Sequence, residues 1–229
     1  MEKGLNKEEF CEMGYLKRAD GSCLYSDKNF AVIVSVFGPG DLKASKQIAD
    51  KMSIEVTIND LPNMKRDFNF ESLIKSLCES VVDINACPRT GVSLTIQLLE
   101  IDESSTFWRS ACLNALCLAL LDSGLPMKQT FVAVSVAKTK ENLLVTLEAN
   151  DRHSADVNFL FVFSNVEVQK GKNILASLSS GIFDMDIFQR ALSLARMASR
   201  DLFSFQRSCV HKKLNRIFDV DNLSLKEFQ

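Results

Sequence analysis

SACLNALCLALLDSGLPM, residues Ser110 to Met127, predicts a helix over Ser110–Asp122 that is apolar on nearly every side. Gly124 and Pro126 stop it: glycine accepts a left-handed turn, and proline cannot continue the helical ladder. A helix without a wet face belongs in the middle of a fold, covered by other elements. Asn114 lies inside it and is expected to be a satisfied buried amide, tying the helix to neighbouring backbone. On the N-terminal side, Val92–Leu99 (VSLTIQLL), Met52–Ile58 (MSIEVTI) and Ala31–Phe37 (AVIVSVF) read as strands, the last stopped by Gly38-Pro39-Gly40. Glu71–Val82 puts Leu73, Ile74, Leu77, Cys78 and Val81 at helical spacing. Leu61–Phe70, with Pro62, Asn63, Lys65 and Arg66, reads as the loop before it. On the C-terminal side, Phe131–Ala137, Leu143–Leu147, Val157–Phe163 and Ile174–Leu178 form a meander of short strands, with turns at Lys140-Glu141-Asn142 and Lys170-Gly171. One long amphipathic helix, about Asp184–Ile217, follows; Ile187, Ala191, Leu194, Ala195, Ala198, Leu202 and Phe205 form its apolar stripe, and its last turns are basic. Helices mixed with mostly hairpin-linked strands favour an α+β fold. Residues 1–14 are expected to be a flexible polar segment, 15–217 the domain, and 218–229 a tail.

The composition bounds the function. The chain has 229 residues, 46% hydrophobic and 24% charged, with nine Gly and four Pro, which excludes disordered and collagen-like classes. A formal net charge of −2 excludes a protein that coats polyanions generally, so a nucleic-acid partner requires a local basic patch. Seven cysteines, an odd number with no Cys-x-x-Cys pair, suggest neither a disulfide framework nor a thiolate metal site; they point to a reducing compartment. The charged N-terminus does not read as a signal peptide, and no apolar run reaches the roughly 18 residues of a membrane span.

Three stretches together carry a resemblance. Arg18-Ala19-Asp20-Gly21-Ser22 is followed by a strand ending in Gly38-Pro39; Pro88-Arg89-Thr90 stands just before another strand; and Ala111-Cys112-Leu113-Asn114-Ala115 runs on through Leu120-Leu121-Asp122-Ser123-Gly124-Leu125-Pro126-Met127. In this order and spacing the chain resembles the RNase PH family from about Glu12 to Arg216, and more narrowly the RNase PH-like subunits of the eukaryotic RNA exosome core ring. The segment from Gly38 to Lys46 is similar to the small ring subunit without an appended RNA-binding domain. The resemblance implies two β-α-β halves packed side by side, similar to one domain of ribosomal protein S5. It also implies pairing into a six-membered ring around an RNA channel. Expected partners are other RNase PH-like ring subunits, cap subunits and single-stranded RNA, with no membrane, and a homodimer as a state of the isolated chain. Nucleus, nucleolus and cytoplasm are the implied locations.

Active relatives are phosphorolytic: inorganic phosphate attacks the terminal 3′ linkage and a nucleoside diphosphate leaves. That chemistry needs an anion cradle, stabilisation of charge at phosphorus, and an acid or a carboxylate-bound metal for the leaving oxygen. By the resemblance, Arg109 matches the phosphate-binding arginine, but Trp108 and Phe107 replace the small residues that let backbone approach an anion. Asp156 matches the catalytic aspartate, while Thr146 stands where its acidic partner is usual; Glu148 or Asp151 are the nearby substitutes. The bland reading makes Arg109 a surface or subunit-contact arginine and Asp156 a solvating strand end. RNA contacts are expected from Arg89, Lys65 and Arg66 to phosphates, and from Trp108 as a stacking face; the alternative for Arg89 is a pair with a carboxylate in a subunit interface. The expectation is a non-catalytic ring subunit with no cofactor and no bound metal. The alternatives are an active phosphate-dependent 3′–5′ exoribonuclease using Arg109 and Asp156, with inorganic phosphate as co-substrate and Mg2+ as its metal, and a homo-oligomeric nucleic-acid binder.

Overall fold

The computed structural model describes residues 10–27, 30–41, 47–59, 67–101, 107–138, 143–145, 157–166 and 173–218. In chain order these form β1 (Phe10–Met13), β2 (Gly21–Asp27), β3 (Phe30–Asp41), β4 (Ser53–Asn59), α1 (Phe68–Val81), β5 (Thr90–Ile101), α2 (Trp108–Ser123), β6 (Phe131–Lys138), β7 (Leu143–Leu144), β8 (Val157–Ser164), β9 (Ile174–Ser180) and α3 (Met185–Phe218). A first sheet runs β1-β2-β3-β5-β4, and a second runs β7-β6-β8-β9. Among the described residues only the β4–β5 pair is parallel, because α1 carries the chain back between them; every other described pair is antiparallel. The α+β expectation holds, with α2 central: it packs against β1, β2 and β3 of the first sheet and β6 of the second.

Two apolar clusters account for the patterning. The larger surrounds α2, whose residues from Ala111 to Leu120 are all buried. The smaller lies between the second sheet and α3, with Val132, Val134, Val136, Phe159, Phe161 and Phe163 against Ala191 and Ala195. β6 and β8 are therefore covered on both faces. Phe131, Ala133, Leu160 and Val162 turn toward the α2 side and their neighbours toward α3. This is why both strands read as continuous apolar runs instead of alternating ones.

Two expectations need correction. Residues 10–13 are not part of a loose segment: they form β1, registered on β2 from Phe10↔Ser26 to Met13↔Cys23. Helix α1 begins at Phe68 rather than Glu71, because Asp67 caps it; its Oδ1 accepts from the Phe70 N–H at 3.1 Å. The turns at residues 140–142 and 170–171 lie outside the described residues.

One edge of β6 is completed by side chains. Among the described residues β7 pairs only with Ala137 and Lys138, so the N-terminal half of that edge has no strand neighbour. Asn114 takes its place. Its Nδ2 donates to Ala133 O at 3.0 Å, and its Oδ1 accepts from Ala133 N at 2.8 Å. Gln206 Nε2 donates to Phe131 O at 3.0 Å, while Phe131 N donates to Cys117 Sγ at 3.5 Å. A buried strand edge leaves costly backbone groups, and two helices here satisfy them.

Candidate functional site

β4 and β5 are parallel, so the helices that follow them start at the same end of the first sheet. Asp67 caps α1 there, and Trp108-Arg109 opens α2. Arg109 Nη2 donates to Asp67 Oδ2 at 2.9 Å. The guanidinium carbon lies 4.9 Å from the Trp108 ring centroid and 5.8 Å from that of Phe70. Trp108 meets Phe70 edge-on, with centroids 5.3 Å apart. Asp67 thus uses both carboxylate oxygens: one caps α1, the other holds Arg109. The pair is internally neutral, so the arginine offers an incoming phosphate no net positive charge. Cap and half-exposed pair together stabilise this arrangement by about 1–2 kcal/mol.

Trp108 departs from its expected role. It is 5% exposed, packed beneath Arg109 and against Phe70, so its ring faces are not open to a base. The outward aromatic at this end of α1 is Phe68, 67% exposed. Arg89 is exposed and sits at the head of β5 with φ of 64°, a conformation few non-glycine residues adopt. Its N–H donates to Ile48 O at 3.2 Å. Arg109 follows the far end of β5, so the two arginines are separated by roughly 35 Å of strand. Of the expected site residues that are described, Arg89 therefore stands at one end of this strand, and Trp108 and Arg109 follow the other. Lys65, Arg66 and Asp156, with Thr146, Glu148 and Asp151, lie outside the described residues. Among the described residues no group of three His, Cys, Asp or Glu is placed to hold a metal ion.

The motif residues that carry the resemblance do structural work. Asp20 Oδ2 accepts from Gly38 N at 2.7 Å, fixing the end of β3. Ser22 N donates to Asp122 Oδ2 at 2.9 Å, and Leu16 N donates to Ser22 Oγ at 2.9 Å. Asp122 also pairs with Lys213, joining β2, α2 and α3. The seven cysteines are all free. Burial pushes the Cys117 thiol up to about 12 and the Cys78 thiol further, so both stay protonated at neutral pH and serve as apolar packing.

This fold, with its arginine at the head of the central helix, defines a class. The model of domain 1 of the 3′ exoribonuclease (RNase PH) family matches residues 6–126, and the chain belongs to that family. Among curated relatives, the exosome complex component RRP46 homolog of Caenorhabditis elegans is 26% identical over 216 residues, covering 93% of this chain and 97% of the relative. The exosome complex component Rrp41 of Archaeoglobus fulgidus is 28% identical over 215 residues, covering 88% and 81%. Among solved structures, rice (Oryza sativa) Rrp46 superposes with a TM-score of 0.78 at 21% identity, covering 91% of this chain and 98% of that one.

Proposed function

We propose that this chain is a non-catalytic structural subunit of an RNA exosome ring, held between other RNase PH-like subunits and beneath cap subunits. It forms part of the channel through which single-stranded RNA is threaded for 3′–5′ processing and degradation, in the nucleus, nucleolus included, and the cytoplasm. The observation that carries this reading is the Arg109–Asp67 pair: the side chain that would hold phosphate already holds a carboxylate of the same chain. The names of the relatives supply the assembly, and their coverage spans nearly the whole chain.

Two further features support the reading. Apolar side chains stand exposed at the margins of both sheets: Phe10 on edge strand β1, and Ile182, 97% exposed, just beyond edge strand β9. Such edges are usually covered by a neighbour. Arg89, exposed at the head of β5, then supplies positive charge for a phosphate of the threaded strand.

Reconstitution with RNase PH-like partners, RNA and inorganic phosphate tests this. We expect a stable heteromeric complex, and nucleoside diphosphate release that does not change when Arg109→Ala or Asp156→Asn is introduced in this chain. Release abolished by either substitution, or recovery of the chain only as a monomer, would overturn the reading.

A further inference from the structure

The C-terminal half of α3 carries charge that the fold does not use. From Leu202 to Phe218 the helix has Arg207, His211, Lys212, Lys213 and Arg216 and no acidic residue, in a chain whose net charge is −2. Lys213 is taken by Asp122, and Arg216 pairs with Glu12 at 3.3 Å. Arg200, Arg207 and Lys212 are exposed, and among the described residues none of them makes an ion pair. At 3.6 residues per turn, Arg200, Ser204, Arg207, Ser208, His211 and Asn215 share one outward face, opposite the stripe that buries Ala191, Ala195, Ser199, Gln206 and Cys209, and Lys212 stands at the margin of that face. That face runs about 18 Å from Arg200 to Lys212. Asp201 is the one acid on it, at its N-terminal limit.

The helix dipole explains cations in the last turn, which suits Lys213 and Arg216. It does not explain Arg207, about three turns from the end, or Arg200, about five. We infer that this outward face of α3 is a docking surface for the phosphate backbone of a nucleic-acid strand. Its chemistry favours that occupant over a protein. A protein interface is organised around buried aromatic and aliphatic anchors, whereas between Arg200 and Lys212 this face presents cations, hydroxyls, an imidazole and the single carboxylate of Asp201, with no apolar aromatic or aliphatic side chain. Leu214 and Ile217, the exposed apolar residues of this segment, project to one side of it. Spaced cations without anchors suit phosphates and read no sequence, so RNA and DNA strands of one sequence bind it alike. The inference does not depend on ring membership.

Fluorescence anisotropy with the full-length chain and an end-labelled single strand tests it. The triple variant Arg200→Gln, Arg207→Gln, Lys212→Gln should lose affinity on the order of tenfold at low salt, and the slope of log affinity against log salt should fall by about 2, from roughly 0.7 per lost phosphate contact. A control removing equal charge elsewhere, Lys17→Gln, Arg18→Gln, Lys75→Gln, should stay within about twofold of wild type. Equal losses in both variants would overturn the inference. So would polyglutamate displacing the strand as effectively as unlabelled strand does.

Discussion

Replacing Asn114 by alanine is expected to lower stability by about 3–5 kcal/mol. In the wild type its amide exchanges two hydrogen bonds with the backbone of Ala133, in a site that is 6% exposed. Alanine leaves both the Ala133 N–H and C=O buried without a partner, and each such group costs roughly 1–3 kcal/mol. For a chain of this size the unfolding midpoint should fall on the order of 10 °C. Asn114→Leu separates polarity from cavity formation, because leucine keeps the same branched heavy-atom skeleton, leaves no void and still orphans both backbone groups. Urea or thermal unfolding should therefore show both variants strongly destabilised. A leucine variant as stable as wild type would show that the edge of β6 does not rely on this amide.

Gly21→Ala should be comparably damaging for a different reason. An added Cβ would lie 2.3 Å from Ala119 O and 2.5 Å from Ser123 N, both backbone atoms of α2. Neither can move without shifting the central helix. β2 must instead separate from α2, which strains the Ser22–Asp122 hydrogen bond one residue away. Overpacking of this kind costs about 3 kcal/mol. Gly40→Ala is the matched control: nothing lies within 4 Å of its added Cβ, and its effect should stay within about 0.5 kcal/mol. Equal unfolding midpoints for the two variants would contradict the close approach of β2 to α2.

The legible parts of the fold were those whose burial repeats along the chain. The all-apolar run of α2, the strands β3, β4 and β5, and the long stripe of α3 each show in the sequence as a pattern. β2 does not, because Gly21, Ser22, Ser26 and Asp27 are weak strand formers; it is held by β1, β3 and α2 around it. β1 is four residues long, too short for a period to register. The site was legible only in part. Arg109 could be placed at the head of α2, but its partner lies 42 residues earlier, in a stretch that reads as a loop. The one local sign of Asp67 was an acidic residue three positions before Phe70, the spacing of a helix cap. The burial of Trp108 depends on Phe70, which only the packing of α1 beside α2 brings into contact.

Inorganic phosphate titrated against thermal unfolding interrogates the Arg109–Asp67 pair itself. Asp67→Asn keeps a good cap for α1 and removes only the charge facing Arg109, so its starting stability should drop by less than about 1 kcal/mol. Wild type and Arg109→Ala should respond identically to phosphate, showing only its general salt effect, whereas Asp67→Asn should gain additional stability as the freed guanidinium takes an anion. A phosphate-dependent rise in the wild-type midpoint that disappears in Arg109→Ala would mean that the cradle is open and that this chain retains the anion site of an active phosphorolytic enzyme.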